Sequence, residues 1–454
     1  MGDWLTFAHG LGGPADLPVP PQLAIAGAVA ALVVSFTVLA LAWRTPRFDP
    51  AVGGRPAPAV LQRLVDHPAY RIGLRVLGLA GLAWFGLAAV FGQNLLTNPA
   101  FGMFYVWWWV GLVPASVLLG PVWRAISPVR TINTLFAKVS GSDPDRGLYD
   151  YPARLGHWPA ALGLFAFVWM ELVYPFSTEL GPVRLWVAVY LALMLMGGAL
   201  FGSAFYEKAD PFEVYSSLCG KLSVWARRDG PFETGAGRPP QDKQLLVRSP
   251  LSNLATIRPE PGLVAVVGVL FGSTAFDSFR GSLVWIRFND GASASVQTMN
   301  NLALVTFCVG VAVILAIGAA ATAVGDHARR TELPSLFAHS VVPIIVGYIV
   351  AHYLNYLFEV GWDTLILASD PLSNGSNLLG TGDLDRFSWF AYHQTLLASV
   401  KVLAVVTGHV LAVIAAHDRA IQVLPKRHQV TGQLPMLLAM VSFTVGGLYL
   451  LFAA

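Results

Sequence analysis

Ten stretches of this chain are apolar over the length of a bilayer crossing, and that repetition constrains the fold more than any motif in it. A transmembrane helix needs about 20 consecutive, mostly apolar residues. Runs of that kind occupy approximately 22–43, 73–92, 103–120, 158–176, 184–204, 262–283, 301–325, 334–358, 389–416 and 434–453. Pro114, Pro175 and Pro343 fall inside three of them, which a bundle tolerates because neighbouring helices satisfy the freed carbonyls. Charge is correspondingly scarce: 12% of the 454 residues are Asp, Glu, Lys or Arg, where a soluble domain carries roughly 25%. A soluble multidomain enzyme is thereby excluded. The expected architecture is an all-α integral membrane protein with about ten transmembrane helices.

Direction follows from the basic residues, because cytoplasmic loops retain Lys and Arg. With the amino terminus outside, 24 of the 29 basic residues fall in inner loops; Arg184, Arg280, Arg287 and Arg386 lie on the outer side and Lys401 within a span. Both termini are therefore expected outside the cytoplasm. Met1 to Pro20 has no basic n-region and contains Asp3 and Asp16, so it does not read as a signal peptide. A net charge of +3 gives no case for nucleic acid, and two cysteines, Cys219 and Cys308, give none for a disulfide framework or a zinc ribbon. Arginine outnumbers lysine 23 to 6, which suggests a GC-rich bacterial genome and hence a bacterial cytoplasmic membrane.

The longest inner loop divides five spans from five. Residues 1–225 form the first half, 226–260 a cytoplasmic linker whose Arg227 to Arg238 segment is rich in glycine and charge, and 261–454 the second half. Within the first half, Leu118 to Ser140 and Leu200 to Ser223 repeat one pattern: a span ends at Gly120 or Gly202, a short turn follows, and Ser127-Pro128 or Asp210-Pro211 opens a new helix. Ser and Asp cap helices and Pro suits the first helical position. Two cytoplasmic interfacial helices are expected there, as skirts that close the bundle or as a docking face for a cytoplasmic partner. On the outer side, 360–387 reads as a lid-like loop, apolar before Asp370 and rich in Gly, Asn and Ser after it. The run Phe104 to Trp109 (FYVWWW) reads as an aromatic-belt anchor, with a hydrophobic ligand wall as the alternative.

An ionisable group near the bilayer centre costs at least ~2.5 to 3.5 kcal/mol, so each one retained is a functional candidate. The spans hold Glu171, Asp277, Arg280, His339, His352, Glu359, His393, Lys401 and His409. By helical rise, most fall in the outer half, and His339 and His409 in the inner half. On the helix carrying HYLNYLFE, His352 and Glu359 lie about 20° apart with Asn355 about 60° away, one polar stripe. His352, Glu359 and His393 are accordingly candidate ligands for a divalent metal such as zinc, since imidazoles and a carboxylate suit it; a membrane histidine also serves as a helix-to-helix hydrogen-bond donor. Bis-histidine haem is disfavoured, because His339 and His352 stand about 140° apart, as do His393 and His409 at about 160°. Asp277 and Arg280, at i and i+3, read equally as a self-neutralising pair.

Four segments together, AHGLGGPADLPVP at Ala8 to Pro20, GPVWRAISPVRT at Gly120 to Thr131, LASDPLSNGSNLLGTGD at Leu367 to Asp383 and GHVLAVIAAHDRA at Gly408 to Ala420, resemble bacterial polytopic membrane proteins labelled fenitrothion hydrolase-like. The resemblance implies hydrolysis of an organophosphorus triester, a small apolar substrate that partitions into the bilayer. In that chemistry a metal at His352, His393 and Glu359 activates water, Glu171 or Asp277 acts as general base, and Lys401 stabilises the developing negative charge. Ten spans, a buried lysine and Pro-interrupted helices suit a proton-coupled transporter as well. A membrane scaffold is the third class.

Overall fold

A computed structural model describes residues 16–48, 54–227, 244–322, 329–425, 428–429 and 431–453. The chain is helical almost throughout. Nine helices among the described residues are long and apolar enough to cross a membrane: α1 (Pro21–Ala42), α2 (Pro68–Phe91), α3 (Pro99–Leu119), α6 (Leu180–Phe201), α8 (Leu263–Arg280), α9 (Val296–Ala320), α10 (Leu333–Leu367), α11 (Gln394–Val423) and α12 (Thr431–Phe452). Between them lie α4 (Pro128–Ser140), α5 (Trp158–Leu172) and α7 (Pro211–Gly220). Several begin on a cap followed by proline, which presets the first helical φ. Asn98 accepts from the Ala100 N–H at 2.9 Å ahead of Pro99, Ser127 from Arg130 at 3.4 Å ahead of Pro128, and Asp210 from Phe212 at 3.0 Å ahead of Pro211.

The outward faces carry the solvent argument. Leu185, Val189, Leu193 and Met196 on α6, and Leu302, Val305, Val309, Val313 and Ile317 on α9, are exposed at helical spacing. Such apolar stripes are costly in water and natural in lipid. Inside, one apolar core draws its residues from both halves of the chain. Close approach is made possible by glycine: a Cβ at Gly272 would sit 2.5 Å from the Cys308 Cα where α8 crosses α9.

The expected fourth span is shorter than the rest. Helix α5 has 15 residues, about 22 Å. Its two ends nevertheless coincide with those of α8: the His157 N–H donates to the Pro261 carbonyl at 2.7 Å, and Arg280 donates to the Leu172 carbonyl. The connecting segments sort into two ends of the bundle. At one, Leu180 donates to Asn94 at 2.8 Å, Trp84 to the Ala368 carbonyl at 2.9 Å and Trp169 to Asn301 at 2.7 Å. At the other, Arg47 donates to Asp418 at 2.7 Å, Arg419 to the Ala255 carbonyl at 3.0 Å and Tyr149 to the Leu200 carbonyl at 2.8 Å.

The repeated segments are built alike and pack on each other at this second end. Each leading span stops at a glycine with positive φ, 89° at Gly120 and 64° at Gly202, a conformation that favours glycine. Helix α4 has the expected surface character, with Leu135, Phe136 and Val139 exposed. Helix α7 corrects the expectation of a second interfacial helix, since nine of its ten residues are buried. It is held by Arg130, whose guanidinium grips Glu213 through two nitrogens at 2.5 and 2.6 Å, and by Asp210, which accepts from Trp123 Nε1 at 3.1 Å and Tyr190 Oη at 3.0 Å. Burial pushes the Asp210 carboxyl up to about 7, the Glu213 charge adds to this, and its three donors oppose it.

Three further expectations change. The linker's central residues, 228–243, lie outside the described residues; its flanks form a small antiparallel sheet, β1 (Arg55–Pro56), β2 (Trp225–Arg227) and β3 (Leu245–Val247), with β3 in the middle. The apolar first part of 360–387 is not a lid but the end of α10, which runs to Leu367; the loop begins at Ala368. There Asp370 accepts from the Asn374 and Gly375 N–H groups at 3.0 and 2.7 Å. Finally, the aromatic run is interior packing, not an anchor: Phe104, Tyr105, Val106 and Trp109 are buried, within a nine-residue π-helical turn at Gly102–Val110. Phe104 packs on Phe167 and Trp186 with ring centres 5.0 and 5.4 Å apart.

Candidate functional site

A cavity of about 590 Å³ opens at the end of the bundle where α10 meets its loop. Its walls come from four helices and the loop: Phe101, Gly102 and Tyr105 on α3, Glu171 on α5, Asp277 and Arg280 on α8, Tyr353, Tyr356 and Asp363 on α10, and Arg386 beyond. The π-helical turn of α3 swings Tyr105 inward, where its hydroxyl donates to the Ser177 carbonyl at 2.8 Å. Gly102 lets α3 lie against Thr364 of α10, whose side chain fills the space a Cβ would need.

Asp277 is the hub of the polar groups. Its Oδ2 accepts from Tyr353 Oη at 2.8 Å and lies 2.9 Å from His352 Nε2; its Oδ1 accepts from Arg280 at 3.1 Å. A carboxylate only accepts, so Nε2 bears the ring proton, and Nδ1 accepts from the Ser278 hydroxyl 3.1 Å away. Ser278 in turn accepts from Tyr348 at 3.2 Å. The order Ser278, His352, Asp277 matches that of a nucleophilic triad. Ser278 is fully buried and absent from the cavity wall, however, so the chain of bonds positions Asp277 and offers no nucleophile.

Glu171 differs from every other charge on the wall. Its Oε2 is sealed from solvent and has no hydrogen-bond partner. Asp277 and Arg280 are the charged groups that act on it. Arg280 is paired with Asp277, and Arg386 stands 3.8 Å from Asp363. Of the three carboxyl groups on the wall, set against two guanidiniums, Glu171 is the one with no guanidinium of its own.

Of the residues expected from sequence, Glu171 and Asp277 meet in this cavity; the other four do not join them. The metal trio does not converge. His352 has both ring nitrogens engaged by Ser278 and Asp277. Glu359 accepts from Asn355 at 3.2 Å on its own helix. His393 is exposed on the turn before α11, stacked on Trp389 with ring centres 4.0 Å apart. Among the described residues, no three His, Cys, Asp or Glu side chains are grouped to hold a metal. Lys401 is buried on α11, with Asp16 and Glu359 as the charges acting on it, and it does not line the cavity. His339 and His409 donate through Nδ1 to carbonyls of their own segments, at Leu336 and Val405.

Tyr105 lies in the run for which a ligand wall is the alternative reading, whereas sequence reasoning missed Tyr353, Tyr356 and Asp363. The signal for these three was present: Tyr353, Tyr356, Val360, Asp363 and Thr364 recur at helical spacing on α10, one residue round from the stripe of His352 and Glu359.

Comparisons of the chain with protein-family models, curated proteins and solved structures give no match. Fold and site define its class: a helical chain with, among its described residues, nine helices apolar enough to cross a membrane and an acidic, aromatic cavity at one end.

Proposed function

We propose that this is a multi-pass protein of a bacterial cytoplasmic membrane, crossing it ten times with both termini outside. Supporting this are the coincident ends of α5 and α8 and the concentration of basic residues in loops of the end opposite the cavity. The cavity then opens outward, and its function is to take up a small, largely apolar molecule and act on it by proton transfer at Glu171. By the family resemblance, the reaction is hydrolysis of an organophosphorus triester.

One observation carries this reading: a glutamate on the wall of a small-molecule-sized cavity, one of whose oxygens has no partner, beside a carboxylate fixed by three donors. Glu171 acts as general base. Water attacks phosphorus, its proton passes to Glu171, the bond from phosphorus to the aryl oxygen breaks, and the aryloxide leaves. Arg280 and Arg386 supply positive charge for the phosphoryl oxygen as it becomes more negative. Asp277 with His352 and Tyr353 holds Arg280 in place. Neither a metal trio nor Lys401 enters, because the ligands do not converge and the lysine lies off the cavity. The test is release of nitrophenol from a dialkyl nitrophenyl phosphotriester by purified protein in lipid nanodiscs. Release lost in Glu171→Gln is expected; no release by the unaltered protein overturns the hydrolase reading.

A second reading, proton-coupled transport, is favoured by the buried Lys401 with Glu359, a titratable pair that hydrolysis does not use. Uptake into proteoliposomes that needs a pH gradient and fails in Lys401→Ala would put it first.

A further inference from the structure

The unmatched carboxyl group on the cavity wall points to a ligand class that hydrolysis of a neutral ester does not require. Two of the three carboxylates, Asp277 and Asp363, face guanidiniums, and Glu171 has no counter-ion of its own. An isolated carboxylate in a water-poor site is neutralised either by a proton or by a cation brought to it. The groups around it are suited to a cation that is also apolar. Tyr105, Tyr353 and Tyr356 line the cavity together with Glu171. Aromatic faces attract quaternary and protonated amines, most strongly where water is excluded. The charged and titratable groups that share the cavity wall with Glu171 are Asp277, Arg280, Asp363, Arg386 and these three tyrosines.

We propose that the cavity binds a small lipophilic ammonium ion at Glu171 in exchange for a proton. The exchange balances: the carboxylic acid gives up one proton to solvent, and the carboxylate left behind pairs with the incoming cation. No covalent bond is made or broken in the ligand. A cation held this way occupies the oxygen that serves as base in hydrolysis and is thus an inhibitor of that reaction; the proposal itself rests on the cavity and not on turnover.

The experiment is calorimetric titration of the protein in nanodiscs with benzyltrimethylammonium, repeated in buffers of different ionisation enthalpy. Its neutral carbon isostere, neopentylbenzene, serves as control. Close to one proton released per bound cation is expected, with affinity for the cation at least tenfold above that for the isostere. Binding should strengthen by up to tenfold for each unit of rising pH while Glu171 still carries its proton. In Glu171→Gln the preference for the cation should vanish, and in Glu171→Asp most of it should remain. Binding without proton release, equal affinity for cation and isostere, or an unaltered preference in Glu171→Gln overturns the proposal. The pH dependence of the unaltered protein provides the test if that variant does not fold. Absence of phosphotriester hydrolysis leaves these outcomes untouched, so the two readings fail separately.

Discussion

Glu171 and Asp277 share a cavity wall but play opposite parts in stability. Asp277 accepts from Tyr353 and Arg280 and from the His352 ring, so truncation leaves two buried donors and a half-exposed guanidinium unmet. Asp277→Ala should cost about 3 to 5 kcal/mol, the range for breaking a buried charge pair from one side. Glu171 has an oxygen bonded to nothing. Glu171→Gln should therefore stay within about 1 kcal/mol of the unaltered protein while hydrolysis is lost. Denaturant unfolding of both variants in detergent checks this; equal losses would make Glu171 a structural partner instead of a site group. Part of this site was legible from sequence, since cost in the bilayer flagged both carboxylates. The metal trio failed because angular position on one helix says nothing about the rotation of the next. His393 precedes α11 and stacks on Trp389, and His352 turns its ring to Asp277. Tyr353 and Tyr356 were overlooked for another reason: an uncharged aromatic residue in a span carries no cost that marks it.

At the scale of elements, α7 shows how a short polar-looking segment becomes interior. Its Glu213 and Asp210 are answered by Arg130, Trp123 and Tyr190, and nothing in the spacing of α7 itself discloses those partners. The cap and proline that begin it were legible; its burial was not. Because burial first, and the Glu213 charge second, raise the Asp210 carboxyl to about 7, this group favours folding most below its unfolded value near 3.8, and that contribution is lost as pH rises through about 7. Stability should fall over that window by up to about 1.4 kcal/mol per unit, and Asp210→Asn should flatten the slope. Unfolding midpoints measured from pH 4 to 8 for both proteins decide it. The crossing of α8 and α9 is tested more simply. Gly272→Leu drives a side chain into the Cys308 backbone and should cost about 1 to 3 kcal/mol or more, read as a lowered melting temperature.

For the whole molecule, the sequence disclosed the apolar repetition and the asymmetry of charge, and these rest on composition over long windows, where single errors average out. It did not disclose that α5 has only 15 residues, because the contacts at its ends are made by residues more than 100 positions away. The proposed topology predicts reactivity from one side only. Both native cysteines are buried, so the background is silent. Leu384→Cys, beside the cavity, should react with an impermeant maleimide on intact cells, and Ser142→Cys only after lysis; the reverse pattern would invert the assignment.

The π-helical turn in α3 links these scales. A wide turn holds one residue more than an α-turn would, so it acts as slack in the rotation of the helix. Tyr105, on the cavity, and Trp108, stacked 5.2 Å from Trp123 near the opposite end, both lie within it. Deleting a single residue there would close the wide turn into a regular α-turn and change the spacing between the two. The cavity wall and the anchorage of α7 are thus phased to each other, and neither can be re-aimed alone.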